Sequence, residues 1–534
     1  MGSTTVPHLL AANHGRADRP WLVTPDERLT YGEADARSAE LARRFLAEGI
    51  GKNTRVAIVL ANSVDWVVAF LALSRIGAHS ALLSPFGKPP ELAYAIRHAD
   101  VHAVVTGTRA GGVDTAALLT AAVPGLAGHR SGAPLVTGSH PYLRRVWWFG
   151  DDRPAWADDP EAAAGVDPSI LAAVEAEVHA SDPLLTSYTS GTTADPKAVM
   201  HSHGAILRQA EKLAVRRKFV EDDVVYTPMP FFWVGGVCYA LLSCATHGLL
   251  LCTSARFDAG EALDLMEEHR ATHVACWPQA AEGMVAHPSW PERDLSHLKA
   301  GPALLRGPDF AGVAIDQREQ SLGMTETCGP HTFSFDADAI LPESMRGSFG
   351  SPMERMEHRI VDPETLAPLP DGEIGELLIR GECLMLGFHK RERQDTFLPD
   401  GWYRTGDLCS WRDDRLFFHG RGGDTIKTAG FNVAPAEVER VVDALPDVMH
   451  VVVMGLPDPV RDQVVAALVA LRPGATATAG SLAALVKEQI STYKVPTVWC
   501  LVDEAGYPMG PTGKVDRNRA RALLEGAQAA PEQR

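Results

Sequence analysis

The stretch from Leu29 to Ile76, LTYGEADARSAELARRFLAEGIGKNTRVAIVLANSVDWVVAFLALSRI, alternates two hydrophobic patterns and thereby decides the fold class. Leu29-Thr30-Tyr31 reads as a short strand, Ala34 to Glu48 as an amphipathic helix, Arg55 to Leu60 as a buried strand and Val64 to Ile76 as a second helix. A strand covered on both faces is continuously apolar, and its alternation with helices predicts a parallel sheet with helices on its faces. Further units of this kind follow Leu184, and the text turns β-rich from Gly350 through Trp411, with Gly and Pro as punctuation. Residues Gly107 to Val166 are rich in Ala, Gly and Pro with weak periodicity, and are expected to be an elaborated surface segment. Gly420-Arg421-Gly422-Gly423-Asp424 makes a flexible break before Ala434 to Ala444, Val451 to Met454 and Val464 to Leu471, a compact α+β pattern. The expected architecture is α/β: a large N-terminal domain over 1–422, with α/β layers and a β-rich subdomain, and a small C-terminal domain over 423–534.

At 534 residues, with 46% hydrophobic and 22% charged side chains, the chain is long enough for several domains and ordinary in composition for a globular protein. Fifty basic against sixty-seven acidic residues leave a net charge of -17, which argues against a nucleic-acid partner or an anionic lipid surface. Eight scattered cysteines without a CxxC pair suit reduced thiols, with no disulfide framework and no zinc site. The N-terminus lacks a signal-peptide pattern, and Val6 stands where a myristoylation site needs Ser or Thr. Val234 to Ala255 is apolar enough to span a bilayer, but Gly235, Gly236, Ser243, Thr246, His247 and Gly248 interrupt it. A buried helix followed by a core strand is expected there, in a cytoplasmic protein with no integral membrane segment.

Thr186-Ser-Tyr-Thr-Ser-Gly-Thr-Thr-Ala-Asp-Pro-Lys197 follows an apolar run and precedes Ala198-Val-Met-His201. Hydroxyls, a glycine and a lysine are what a polyphosphate requires: donors, close backbone approach and a cation. The stretch does not match the GxxxxGK[ST] loop, and by itself it reads more readily as a turn.

Its company decides. Leu322-Gly-Met-Thr-Glu326, Gly401-Trp-Tyr-Arg-Thr-Gly-Asp407, Gly420-Arg421, Lys427-Thr-Ala-Gly-Phe-Asn-Val-Ala-Pro-Ala-Glu437 and Pro511-Thr-Gly-Lys514 follow in order. Together with the phosphate-loop segment, they resemble the adenylate-forming superfamily of acyl-CoA synthetases, nonribosomal-peptide adenylation domains and luciferases. Lys427 to Glu437 looks most like the acyl-CoA ligase branch.

The resemblance implies a reaction in which a carboxylate attacks the α-phosphate of ATP and a thiol then displaces AMP, with ATP, Mg2+ and coenzyme A as cofactors. Two anions must meet, so cations are required. By resemblance Lys514, Glu326 and Thr325 are catalytic, with Glu326 the magnesium ligand. ATP or AMP would lie against Thr189, Ser190, Gly191, Thr192, Thr193 and Lys197, then Ala300, Gly301 and Pro302, then Ser321, Leu322, Gly323, Met324 and Thr325, and finally Asp407, Arg421 and Lys514. Lys427, Ala429, Gly430 and Phe431 would receive coenzyme A, while Phe232, Trp233, Gly235 and Gly323 would border the acid. The resemblance makes the small domain a mobile lid that turns on Gly422 and Gly423 and presents Lys514 and the Lys427 to Asn432 segment alternately.

Besides Gly423, which stands where the family hinge usually carries Asp or Lys, four departures from the family pattern are visible. Leu322 replaces the aromatic residue that usually lies against adenine. Ala194 and Ala198 replace two phosphate-loop glycines, where a methyl can block a positive φ or a close approach. Pro302 removes an amide donor on the adenine side. Trp233 stands where a histidine often gates the acyl pocket, pointing to an apolar acid. The expectation is an acyl-CoA ligase acting on an apolar carboxylic acid. Its alternatives are an enzyme weak in adenylation that thioesterifies an acyl-adenylate supplied by an upstream enzyme, one that loads a carrier-protein phosphopantetheine, and a nucleotide-binding pseudoenzyme.

Overall fold

Thr30 ends one element and starts the next. Its hydroxyl accepts from the Glu33 amide, and the Glu33 carboxylate accepts from the Thr30 amide, a reciprocal cap that opens the helix Tyr31–Ala47. Tyr31 is therefore the first helical residue, not the last strand residue that its β propensity suggested. Its hydroxyl donates to the Leu249 carbonyl at 2.9 Å, and its ring stacks on Trp21.

The computed structural model describes residues 2–108, 111–162, 164–189, 196–306, 317–334, 338–421, 426–509 and 515–529. They divide into two compact units. The first comprises Met1–Pro85, Ala95–Tyr188 and Ala198–Gly420; the second comprises Phe86–Tyr94, Thr189–Lys197 and Arg421–Arg534, in each case over the described residues.

The first unit is built on a seven-stranded sheet in the order Gly387–Phe388, Lys197–Ser202, Pro183–Thr189, His79–Leu82, Arg55–Ile58, Ala103–Gly107 and Arg145–Phe149. The pairings from Pro183–Thr189 to the far edge are parallel, and Gly387–Phe388 closes the near edge antiparallel. The far edge corrects the expectation for Gly107 to Val166: Arg145-Val-Trp-Trp-Phe149 is an integral strand. After Arg145 its four residues Val146 to Phe149 have the unbroken apolar pattern of a buried strand, which the Ala-, Gly- and Pro-rich flanks mask.

A five-stranded sheet runs in the order His273–Val274, Val224–Tyr226, Leu250–Cys252, Pro20–Val23 and Arg28–Thr30. The run from Val234 folds as a buried helix followed by the strand Leu250–Cys252, with Gly235–Leu242 wound as a π-helix before Ser243–His247. The β-rich stretch forms a four-stranded sheet from Met356–Val361, Gly375–Gly381, Tyr403–Arg412 and Arg415–Arg421.

The second unit has its own core. Strands Val448–Asp458 and Asp462–Leu471 pair along their length, Val498–Val502 runs parallel to the latter, and a hairpin of Ile426–Thr428 and Phe431–Val433 extends the sheet. Helices Pro435–Asp443 and Ala479–Gln489 pack Val438, Val442, Leu482 and Val486 on one face, and Arg517–Ala529 packs Ala520 and Leu524 on the other. Among the described residues no helix is long and apolar enough to cross a membrane.

Candidate active site

In the first unit Gly323–Met324 pairs antiparallel with Gly329–Pro330, and a single 3-10 turn, Thr325–Thr327, joins the two. Leu322 and Met324 are buried in an apolar cluster with Val199, Phe388 and Tyr403, while Gly323 between them faces outward. A Cβ at Gly323 would stand 2.6 Å from the Pro330 nitrogen and 2.7 Å from the Gly329 carbonyl carbon, so close backbone approach alone demands glycine. Leu322, only 8% exposed, belongs to the core. Ser321 beside it is exposed.

The turn is pinned from several directions. The His201 Nε2 donates to the Thr325 carbonyl at 2.7 Å, the Met385 amide to the Glu326 carbonyl at 2.8 Å, and the Thr327 hydroxyl to the Gly329 carbonyl at 2.7 Å. The Tyr403 hydroxyl donates to the Glu326 carboxylate at 3.3 Å. His201 is wholly buried, and burial pushes its imidazole down to about 4, so the ring is neutral. With the proton on Nε2, Nδ1 is left as an acceptor, and the Cys328 sulfur stands 3.0 Å from it. Cys328 itself takes φ 60°, the left-handed conformation that ends the turn.

Asp407 owes its position to a bulge. Glu376 and Leu378 pair with Leu408 and Arg404, leaving Thr405, Gly406 and Asp407 opposite a single residue. Gly406 takes φ 74° there, the Thr405 hydroxyl donates to the Leu377 carbonyl at 2.8 Å, and the Asp407 amide donates to the Thr405 hydroxyl at 3.0 Å. Asp407 is 2% exposed.

Among the adenine-side residues, Ala300 receives the Val274 amide at 2.9 Å, and Gly301 takes φ 149° with a hypothetical Cβ 3.0 Å from that of Val274. Both tie Ala300-Gly301-Pro302 to the end of the strand His273–Val274. Ala198 is buried in the strand Lys197–Ser202 and is absent from the described non-glycine residues with positive φ, so its methyl imposes no conformational strain. Thr189 and Lys197 are half-buried at the ends of their strands.

The loop before Trp233 is held by Asn62. Its Oδ1 accepts the Phe231 amide at 2.7 Å, and its Nδ2 donates to the Met229 carbonyl at 3.0 Å and to the Thr253 hydroxyl at 2.9 Å. Phe232 is buried and meets the half-buried Trp233 edge to face, with ring centroids 5.4 Å apart. Gly235 begins the π-helix, with the Met229 sulfur 3.1 Å from where its Cβ would be.

In the second unit the segment expected to meet coenzyme A is a β-hairpin. Lys427 pairs with Asn432 and Thr428 with Phe431, leaving Ala429 and Gly430 at φ 49° and 83° as a two-residue turn. Both central residues have positive φ, as a type I′ turn requires, which accounts for glycine at 430 without any ligand. The Phe431 ring stacks on Tyr493 at 4.3 Å. Next to it Lys494 donates to Glu91 and Glu437, at 2.8 Å each.

Ser190, Gly191, Thr192, Thr193, Ala194, Gly422, Gly423 and Lys514, with the side chain of Arg421, lie outside the described residues. His201, Asn62, Tyr403 and Lys494 were not singled out from sequence as site residues. His201 left a signal, a polar residue directly after the apolar run Ala198-Val-Met200; the other three left none apart from the motifs around them.

Among the described residues no group of three His, Cys, Asp or Glu side chains could hold a metal ion. Magnesium shared with substrate phosphates needs only one or two carboxylates, so the half-buried Glu326 fits such an ion, whereas an all-protein cage has no donors here.

A layered α/β unit, a hydroxyl and a carboxylate on a pinned turn, and a separate small α+β unit define the adenylate-forming class of enzymes. The chain belongs to the AMP-binding enzyme family: the family model matches residues 10–389, and that of the AMP-binding enzyme C-terminal domain matches residues 437–514. It is similar to 4-coumarate–CoA ligase 5 of Oryza sativa subsp. japonica, 31% identical over 526 residues, covering 95% of this chain and 92% of that protein. It is also similar to the mitochondrial medium-chain acyl-CoA ligase ACSF2 of Bos taurus, 28% identical over 98% of this chain and 88% of that one. Among solved structures, the amide bond synthetase McbA from Marinactinospora thermotolerans superposes with a TM-score of 0.79 at 25% identity, covering 98% of this chain and 99% of that one.

Proposed function

We propose that this protein joins an apolar carboxylic acid to the thiol of coenzyme A through an acyl-adenylate held on the enzyme. It is an AMP-forming acid–thiol ligase. The observation that carries the reading is the pinned Thr325–Thr327 turn, which carries a hydroxyl and a carboxylate on consecutive residues, in a chain whose relatives, matched over most of their length, are named CoA ligases.

In the first half-reaction a carboxylate oxygen attacks the α-phosphorus of ATP and pyrophosphate leaves. Thr325 donates to a phosphate oxygen, Lys197 and Lys514 offset the charge of the two anions, Asp407 accepts from the ribose hydroxyls and Arg421 donates beside it. Magnesium at Glu326 would be shared with the phosphates and neutralise their charge. In the second half-reaction the thiol sulfur attacks the acyl carbon and AMP leaves. The domain 423–534 turns on Gly422 and Gly423, replacing Lys514 at the site with Lys427, Ala429, Gly430 and Phe431. Phe232, Trp233, Gly235 and Gly323 border an apolar acid.

A second reading follows from Leu322 and Pro302: adenylation is weak, and the enzyme mainly transfers an acyl-adenylate made elsewhere. The likeness to an enzyme named for amide bonds adds an amine as an alternative acceptor in place of the thiol. The test offers a panel of aromatic and aliphatic acids with ATP, magnesium and coenzyme A, and in parallel the synthetic acyl-adenylates with coenzyme A, a carrier-protein phosphopantetheine or an amine. Thioester of coenzyme A from both arms supports the full ligase. Product from the adenylate alone supports the second reading, another acceptor replaces coenzyme A in the assignment, and no product in any arm leaves a nucleotide-binding pseudoenzyme.

A further inference from the structure

Of the buried polar groups outside the expected site, His201 reaches the reacting residues most directly. It lies on the strand Lys197–Ser202, which starts at the last residue of the phosphate-loop segment, and its side chain is completely enclosed. One ring nitrogen donates to the Thr325 carbonyl at 2.7 Å, and the other faces the Cys328 sulfur at 3.0 Å, so a single imidazole spans the turn Thr325–Thr327 from its first residue to the residue after its last. Cys328 also approaches the Cys383 carbonyl at 3.6 Å, two residues before Met385, whose amide holds the Glu326 carbonyl. The turn has no apolar side chain of its own to anchor it; these polar contacts set its position.

We infer that His201 is a positioning residue for adenylation: its bond to the Thr325 carbonyl locks the Thr325-Glu326 turn to the strand that carries His201, so that the Thr325 hydroxyl and the Glu326 carboxylate keep one placement. The inference rests on the adenylation reading above. It separates the two ends of the ring. Asn at this position carries its amide near the Nδ1 position, within reach of Cys328 but one methylene short of Thr325. Gln places its amide near the Nε2 position and keeps the donor to Thr325. Misplacement of about 1 Å at a reacting site costs on the order of a hundredfold in rate, so the two variants should differ widely.

The experiment compares wild type, His201→Asn and His201→Gln in acid-dependent ATP–pyrophosphate exchange, in thiolysis of supplied acyl-adenylate by coenzyme A, in magnesium-free calorimetric affinity for an acyl-sulfamoyl adenosine, and in Tm. The expected result is at least a tenfold loss of exchange and weaker analogue binding in His201→Asn, exchange within about threefold of wild type in His201→Gln, and similar Tm and thiolysis in both. Equal exchange in the two variants, or a loss that follows Tm or appears equally in thiolysis, overturns the positioning role while leaving the ligase reading intact. Wild type without exchange overturns both.

Discussion

The phenol of Tyr403 donates to the Oε1 atom of Glu326 at 3.3 Å, from the same strand, Tyr403–Arg412, whose bulge carries Asp407. Removing that donor leaves the carboxylate in place but free to rotate. Tyr403→Phe is expected to raise the magnesium concentration giving half-maximal adenylation by about 2- to 10-fold, the effect of a hydrogen bond contributing about 0.5–1.5 kcal/mol. A magnesium titration of pyrophosphate exchange measures this; an unchanged requirement would detach Tyr403 from the metal ligand.

Lys514 divides the two half-reactions. Lys514→Ala is expected to lose at least about two decades of adenylation rate, as for loss of a group that stabilises transition-state charge, and to keep most of the thiolysis of supplied acyl-adenylate. Single-turnover measurements of each half-reaction check it, and equal losses would refute the division of labour.

How much of this was legible in the sequence varies by residue. The helices Tyr31–Ala47 and Val64–Arg75 follow from periodicity, whereas the hairpin over Ile426–Val433 was not read from the sequence, where that segment stood out only as a motif. Arg145–Phe149 was missed because a four-residue apolar run inside an Ala- and Gly-rich segment has no period to detect. Motif residues such as Glu326 and Asp407 could be named, but not what holds them: the Asp407 bulge depends on register against Gly375–Gly381, and His201 meets Thr325 across 124 residues of sequence. Partners so distant are set by tertiary packing, which no local pattern encodes.

Buried charge makes the second unit sensitive to one lysine. Lys494, 7% exposed, lies between Glu91 and Glu437, and Lys494→Met would leave two carboxylates without their cation. The expected cost is about 3–5 kcal/mol, read as a fall in the denaturant midpoint. The pH dependence has a definite sign. Burial opposes the charge on Glu91, but Lys494, the Lys88 amide and the Ser491 hydroxyl outweigh it and hold its carboxyl below the ordinary 4.5. Glu91 therefore adds stability above that value, lost as the pH falls through its lowered folded value. Burial pushes Glu437 up, so it takes its proton first. Wild type should lose stability in acid more steeply than Lys494→Met.

Trp233 tests the acid pocket. Trp233→Ala is expected to shift preference toward bulkier acids while leaving AMP affinity within about twofold, a change too small to mark a lost contact. Kinetic profiling over the acid panel decides, and an unchanged profile with lowered Tm would return Trp233 to the core.

The central claim is an acyl-adenylate formed from the acid's own carboxylate, and an acid labelled with 18O in both carboxylate oxygens tests it most directly. One labelled oxygen attacks the α-phosphorus, becomes the bridge of the adenylate, and stays with AMP when the thiol breaks the bond to the acyl carbon. Mass spectrometry of the products formed with ATP and coenzyme A should find one 18O in AMP and the other in the thioester. Unlabelled AMP, or label in pyrophosphate or ADP, would contradict the account.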